Sequence, residues 1–174
     1  MTTLTVFTPT YNRAYILHRC YESLCRQTSK DFMWLIIDDG STDNTKELVN
    51  KWIQKDNGFE IKYVYKENSG MHTGHNKAYE LIDTELNVCI DSDDFMPDNA
   101  VELITEFWKK YGSDKYSGIA SLDNDEDGNI IGTKFPCQKS IKLCDFYDQG
   151  GKGDKNLIYR TEVMKKYPPY PEFE

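Results

Sequence analysis

The sequence predicts an α/β protein built on a doubly wound, Rossmann-like and mostly parallel β-sheet. Short apolar runs alternate with amphipathic helical patterns four times between residues 4 and 111. Two of these apolar runs lead directly into clusters of acidic residues. Alternating strands and helices are typical of a parallel sheet, and right-handed crossovers bring the acidic loops to one edge of that sheet.

The first half of the chain contains two strand-and-helix pairs. Leu4–Thr8 is the first predicted strand, and we expect Pro9 to end it. Apolar residues then recur at helical spacing from Ala14 to about Gln27. Phe32–Ile37 is the second predicted strand. Gly40 allows a tight turn after it, and the helix that follows is capped by one of three residues: Ser41, Thr42 or Asp43.

Two further pairs follow. Ile61–Tyr65 alternates as a third strand, and a helix runs through Ala78 to Ile82. The fourth strand begins at Leu86 and carries Val88 and Ile90, and the last helix of the series follows Pro97. Beyond Tyr111 the pattern predicts an antiparallel hairpin, with strands at 116–122 and 129–133, and short helices at 140–148 and 161–167.

The turn of the predicted hairpin has a second interpretation. Residues 123–130 match the opening of an EF-hand calcium loop, with acids at positions one, three and five and Gly128 at position six. Lys134 stands where such a loop needs a bidentate Glu, and no clear helix precedes Asp123. We therefore prefer the hairpin.

The fourth strand delivers Asp91 and Asp93, two residues apart, to the carboxyl edge of the sheet. Open α/β sheets bind ligands at this edge. Carboxylates that converge there repel one another, and hard oxygen ligands suit Mg²⁺ or Mn²⁺, which also binds phosphate oxygens. The alternative is that both residues only turn the chain and cap the following helix.

Composition narrows the function classes. The chain has 174 residues with a net charge of −8, which argues against binding a nucleic-acid backbone. No apolar run reaches the roughly 18 to 20 residues that span a bilayer, and no export signal is visible. We expect one domain, residues 1–174, in the cytoplasm or at the inner face of the membrane, with at most peripheral membrane contact. The five cysteines are expected to be free thiols.

The converging loops could hold a nucleotide diphosphate. Tyr11 could stack on a base, Asp39 could accept a base N–H, and Asp91 with Asp93 could hold the diphosphate through a cation. The segments TPTYNR, DDGSTDNT, NSGMHTGHN and DSDD, in this order, resemble the family 2 glycosyltransferases. That resemblance covers about residues 4–171 and implies the GT-A fold.

The resemblance also implies an activity and a set of site residues. It implies transfer of a sugar, with inversion, from a nucleotide-diphosphate donor, often UDP-linked, to a saccharide or lipid-linked acceptor in cell-surface polysaccharide synthesis. The metal ligands would be Asp93 and Asp91. The residues that it places around the donor nucleotide are Pro9, Tyr11, Asn12, Asp39, Asn68, Gly70, Asn76, Asp91 and Ser92.

The chain departs from the family pattern in two places. His75 stands where many members carry an arginine, so His75 or Lys77 would have to contact the diphosphate. Family members also continue past this length, so residues 1–111 would form the nucleotide-sugar half and 112–174 the start of the acceptor half. The general base would lie at or beyond the two candidates Glu172 and Glu174, and we expect this chain to bind donor but to transfer sugar poorly.

Two other functions remain open at this point. A nucleotidyltransferase shares the carboxylates at the sheet edge, but it usually carries a glycine- and basic-rich phosphate loop that TPTYNRAY lacks. A donor-binding module without catalysis would lack a base carboxylate downstream.

Overall fold

The computed structural model describes residues 2–136 and 140–172. The elements follow one another as β1 (Leu4–Thr10), α1 (His18–Cys25), β2 (Phe32–Asp39), α2 (Thr45–Ile53), β3 (Glu60–Lys66), α3 (Met71–Leu81), β4 (Leu86–Cys89), α4 (Ala100–Tyr111), β5 (Gly118–Leu122), α5 (Leu143–Asp148), β6 (Lys155–Arg160) and α6 (Thr161–Met164). The alternation predicted up to residue 111 is confirmed, although α1 begins four residues later than expected.

The six strands form one sheet in the order β3-β2-β1-β4-β6-β5. β1 lies parallel to both β2 and β4, and β2 lies parallel to β3, whereas β6 runs antiparallel to β4. The chain moves outward from β1 to β3 and then places β4 on the other side of β1. The strand order therefore reverses between β1 and β4, and ligands of open α/β sheets bind at such a reversal.

Apolar side chains form two clusters, one on each face of the sheet. The larger cluster joins β1, β2 and β4 to α1, α2 and α4. Within it Tyr21 and Trp52 stack with ring centroids 4.3 Å apart, and Trp34 lies against both rings. The smaller cluster joins Phe7 and Ile37, among others, to α3. Helices on both faces are what a doubly wound fold requires, so the predicted fold class is confirmed.

Pro9 does not end β1, contrary to the prediction. The strand continues to Thr10, and Pro9 lies opposite Ile37 of β2. The carbonyl of Phe7 accepts the N–H of Ile90 at 3.0 Å, so the backbone hydrogen-bonding groups of Phe7 point toward β4. The backbone nitrogen of Pro9, two residues on, points to the same side. β4 has already ended at Cys89 there, and the missing N–H of proline therefore costs no ladder hydrogen bond.

The prediction is less accurate after residue 111. The predicted strand at 129–133 is wrong, because only an isolated bridge between Asn124 and Ile130 forms there. Asp125 organises that turn instead, accepting the backbone N–H groups of Asp127 and Asn129 at 3.0 and 2.8 Å. The antiparallel strand of the sheet is β6, which the sequence did not predict, and α6 is only four residues long.

The chain divides into two compact units, residues 1–119 with 158–174, and residues 120–157. In the second unit the ammonium group of Lys155 is buried and donates to the carbonyls of Lys152, Gly153 and Asp154 at 3.1, 3.1 and 2.9 Å. No helix in the described part of the chain is long and apolar enough to cross a bilayer.

Candidate functional site

The loops that follow β1 and β2 are fastened together by Asn12. Its Oδ1 accepts the backbone N–H groups of Thr42 and Asp43 at 2.7 and 3.2 Å, and its own N–H donates to Ser41 Oγ at 2.8 Å. Asn12 has φ +53°, a left-handed conformation that asparagine tolerates better than most residues. Asn12 thus aligns the two loops, and its predicted contact with the nucleotide stays a prediction.

Asp43 adds a second connection between the same loops. Its Oδ2 accepts the N–H of Ala14 at 3.1 Å, and its Oδ1 accepts the N–H and hydroxyl of Thr45 at 3.0 and 2.6 Å. Burial alone would raise the pKa of Asp43, but these hydrogen bonds together lower it. Among the three capping residues that the sequence offered, Asp43 is the one that satisfies a donor in the first turn of α2.

Asp39 lies at the end of β2 and is almost fully buried, with 4% of its surface exposed. Its Oδ1 accepts the ammonium group of Lys66 and the N–H of Ser69 at 3.0 Å, and its Oδ2 accepts the N–H of Gly70 at 2.9 Å. A carboxylate has about four lone-pair positions. Oδ2 therefore retains about one position that a further donor can use.

The neighbouring carboxylate, Asp38, has structural contacts. It is fully buried, and it accepts the N–H of Ser41 at 2.8 Å and the hydroxyl of Tyr63. Burial, together with the negative charge of Asp38, raises the pKa of Tyr63. Successive residues of a strand point to opposite faces, so Asp38 and Asp39 do not act as a pair.

Gly40 lets the loops after β2 and β3 approach closely. A Cβ atom at Gly40 would lie 2.6 Å from the backbone nitrogen of Asn68, and its φ is +85°. Asn68 closes the contact by donating from Nδ2 to the carbonyl of Asp39 at 2.7 Å. Asn68, predicted to contact the donor, therefore also holds the turn that carries Asp39.

Asp91 and Asp93 follow β4, where Asp91 is exposed and 46% of the Asp93 side chain is accessible. Ser92 lies between them and is buried. The guanidinium of Arg13 lies 3.4 Å from Asp93 Oδ2. Cys89 is the last residue of β4, just before this loop. Burial raises the pKa of its thiol, and the negative charge of Asp91 raises that pKa further. The structure thus brings the loop after β4 next to the loop after β1.

The carboxylate oxygens of this loop fit a divalent cation that a phosphate group also coordinates. The described residues contain no group of three or more Asp, Glu, His or Cys side chains that could hold a metal by themselves. Mg²⁺ and Mn²⁺ sites in phosphate-binding proteins usually take one or two carboxylates and complete the coordination with phosphate and water. Asp91 and Asp93 are accessible carboxylates of that kind.

The third motif begins α3. Gly70 precedes the helix with φ +96°, and α3 covers the Phe7 face of the sheet. His75 packs its ring against Phe7 and Tyr170, with centroids 5.4 and 6.0 Å away. Burial lowers the pKa of His75, against the opposing effect of Asp91, which favours its neutral imidazole. Lys77, the other expected diphosphate contact, forms an ion pair with Glu80 at 2.9 Å.

Asn76 contacts the C-terminal segment of the described chain. Its side chain exchanges two hydrogen bonds with the backbone of Tyr170, and its Nδ2 also lies 3.2 Å from Glu172 Oε1. Glu172 is thereby connected to α3. Glu174, the other predicted base candidate, lies outside the described residues.

Two residues of the site were missed from the sequence. Arg13 stands in the TPTYNR segment and contacts Asp93, and Lys66 contacts Asp39. The signal for Lys66 is the parallel register, which sets it directly opposite Asp39 at the ends of β3 and β2. For Arg13 the signal is its position just beyond β1, the strand next to β4.

Comparison with known proteins identifies the family of this chain. The family model described as "Glycosyl transferase family 2" matches residues 5–168. The chain belongs to glycosyl transferase family 2. A relative, the chondroitin synthase of Pasteurella multocida, is 36% identical over 131 residues, covering 74% of this chain but 13% of that protein.

Solved structures share the fold of this family 2 chain. Staphylococcus aureus TarS 1-349 in complex with UDP superimposes with a TM-score of 0.72 at 23% identity, covering 94% of this chain and 48% of TarS 1-349. The mannosyltransferase PcManGT from Pyrobaculum calidifontis, in complex with GDP-Man and Mn²⁺, gives a TM-score of 0.68 at 19% identity, covering 97% and 47%. These similarities confirm the GT-A fold.

Proposed function

We propose that this chain forms the donor-binding part of an inverting glycosyltransferase that uses a UDP-sugar, a divalent cation and a saccharide acceptor in cell-surface polysaccharide synthesis. One observation carries the proposal. The loop after β1 is joined to the loop after β2 by Asn12 and to the loop after β4 by the Arg13–Asp93 contact, and these loops carry Tyr11, Asp39 and the Asp91–Asp93 pair beside the strand-order reversal. Family membership and a chondroitin synthase relative support the reaction class.

The base of the donor would lie between Tyr11 and Asp39. Tyr11, just after β1, is 47% exposed, so its ring is accessible for stacking. Asp39 is anchored by Lys66 and by the Ser69 and Gly70 amides, and its remaining lone-pair position on Oδ2 can accept an N–H of uracil. A fixed acceptor of this kind discriminates among bases because its geometry is set before the ligand arrives.

Asp91 and Asp93 would hold Mg²⁺ or Mn²⁺ against the diphosphate. When bound, the ion would stabilise the charge that develops on the leaving diphosphate. Inversion also needs a carboxylate on the opposite side of the sugar to remove the acceptor proton. Glu172 stays a candidate for that role, because Asn76 orients its carboxylate.

The alternatives differ in what supports them. Membership in a glycosyltransferase family argues against the nucleotidyltransferase hypothesis. A donor-binding module without catalysis shares every donor contact described above, so only turnover separates it from an enzyme.

A cytoplasmic location, facing the membrane where the acceptor is assembled, fits the free thiols of the four cysteines that the structure describes.

Thermal unfolding with nucleotides tests the proposal. UDP should raise the melting temperature in Mn²⁺ but not in EDTA, and Asp93→Ala should abolish this difference. Asp98→Ala is the control, since Asp98 is an exposed acid nearby that is paired with Arg26. Equal stabilisation by UDP in EDTA and in Mn²⁺ would contradict the metal role. A separate assay, release of labelled sugar from a UDP-sugar, distinguishes an enzyme from a binding module.

A further inference from the structure

Arg13 follows β1, and its side chain contacts Asp93 in the loop after β4, next to the proposed metal ligands. Its Nη1 lies 3.4 Å from Asp93 Oδ2 and donates to the Tyr15 hydroxyl at 2.9 Å. Its backbone is fixed, because its carbonyl accepts the N–H groups of Ile16 and Leu17 at 3.0 and 2.9 Å. The side chain, in contrast, is 40% exposed. A change of partner by Arg13 therefore needs only side-chain rotation.

The contact with Asp93 is weak enough to be exchanged. Charge-assisted N–H···O bonds are normally about 2.7 to 2.9 Å long, and the Arg13 contact is 3.4 Å. Both partners are also partly exposed, and ion pairs of this kind contribute little to stability. Asp93 can therefore leave Arg13 for a divalent cation at low cost.

We propose that Arg13 binds two anions in turn: it holds Asp93 while the site is without metal, and it contacts the donor diphosphate once a divalent cation engages Asp93. This inference rests on the proposed function. It assigns the diphosphate contact to the loop after β1, whereas comparison with the family pattern suggested His75 or Lys77.

Charge and chemistry support this assignment. His75 is half-buried beside Phe7 with a lowered pKa, and Lys77 on α3 is paired with the exposed Glu80. The guanidinium of Arg13 keeps its charge at all relevant pH values, and its planar fork matches two phosphate oxygens. The diphosphate would lie beside Asp93 if both bind one cation, so Arg13 is already within side-chain reach of it.

The proposal predicts opposite effects on two ligands. Without nucleotide, Arg13 competes with the metal for Asp93, so its removal should tighten metal binding. With nucleotide, Arg13 adds a contact to the diphosphate, so its removal should weaken UDP. Because coupling between two ligands is reciprocal, UDP should also enhance Mn²⁺ binding less in the variant than in the original chain.

Isothermal titration of the full chain tests this, with Mn²⁺ alone and with UDP at saturating Mn²⁺. For Arg13→Gln we expect Mn²⁺ to bind about threefold more tightly, as for loss of one exposed ion pair. UDP should bind about tenfold more weakly, as for loss of one hydrogen bond to a charged group. Arg26→Gln, which removes a comparable exposed pair with Asp98, should change neither constant.

The outcomes separate this inference from the function on which it rests. Unchanged or weaker Mn²⁺ binding in Arg13→Gln, or unchanged UDP affinity, would overturn the exchange while leaving the metal-dependent donor site intact. Failure of the original chain to bind Mn²⁺ with UDP would overturn both. Arg13→Lys keeps the charge without the fork and should recover part of the UDP affinity, and circular dichroism confirms that each variant is folded.

Discussion

Asn76 Oδ1 accepts the backbone N–H of Tyr170 at 2.8 Å, and Asn76 Nδ2 donates to the carbonyl of the same residue at 3.0 Å. One side-chain amide thus pairs with one backbone residue as a neighbouring strand would. The pair joins α3 to a segment 94 residues further along the chain. Since Glu172 also contacts Asn76, the position of this candidate base depends on the same amide.

Asn76→Ala should release the segment around Tyr170. Both backbone bonds are lost, and each net hydrogen bond contributes about 0.5 to 1.5 kcal/mol to local stability. Hydrogen exchange followed by mass spectrometry should show faster exchange in a peptide that contains Tyr170 but not in one from β2. Asn57→Ala removes a side-chain amide bonded to Tyr21 and serves as the control. Unchanged exchange at Tyr170 would show that other contacts hold the segment.

Asp39→Asn should weaken both folding and UDP binding. One carboxylate oxygen becomes an amide donor that faces a backbone N–H or the Lys66 ammonium group, and such a mismatch costs about 1 to 3 kcal/mol. Urea denaturation measures the first effect, and titration calorimetry measures the second.

Tyr63→Phe is the matched comparison for Asp39→Asn. It removes a bond to the adjacent, structural Asp38 and should reduce stability alone. If Asp39→Asn leaves UDP affinity unchanged, Asp39 holds the loop and does not contact the base.

His75 should make folding stability depend on pH. Burial lowers its pKa in the folded protein below the ordinary value of 6.5, so the unfolded chain binds the proton more readily. The contribution of neutral His75 to the free energy of unfolding is therefore complete above about pH 7. It falls as the pH decreases through 6.5 toward the lower pKa of the folded protein. Urea midpoints between pH 7 and 5 should decrease less in His75→Phe than in the original chain. His18→Gln, at an exposed position, should keep the original slope.

Lys155→Met should destabilise the unit formed by residues 120–157. The variant keeps most of the apolar stem but leaves four carbonyls, those of Ile131, Lys152, Gly153 and Asp154, without the ammonium group, which we expect to cost about 1 to 3 kcal/mol. Limited proteolysis should show earlier cleavage within that unit. Lys152→Met, at an exposed position three residues earlier, should leave the cleavage pattern unchanged.

The sequence predicted the first 111 residues well because local pattern and packing agree there. β1, β2 and β4 are short, mostly buried runs, β3 alternates between apolar and polar residues, and each helix has one apolar face. β6 was missed because it begins with Lys155, directly after a Gly-rich loop, and leads straight into α6. Its pairing with β4 depends on contacts about 70 residues apart, which no local pattern reveals.

The sequence placed the candidate site residues in loops that the structure brings together, but it did not reveal the contacts that hold these residues in place. Asp39 and Asp93 stand where strand ends predicted them, but the sequence could not show that Lys66 and Arg13 are their partners. Asn12 and Asn76 both bind backbone groups of the protein, and their predicted contacts with the nucleotide stay predictions. An asparagine satisfies either role, and only the geometry of the neighbouring chain distinguishes them.

The stacked aromatic cluster around Trp34 and Trp52 has a practical consequence for spectroscopy. All three tryptophans of the chain, Trp34, Trp52 and Trp108, are less than 10% exposed and lie on β2, α2 and α4 rather than in the donor loops. Intrinsic fluorescence therefore reports whether the apolar cluster is intact, with little direct signal from a nucleotide. The protein carries an internal optical reporter of folding that can be followed while ligands are titrated.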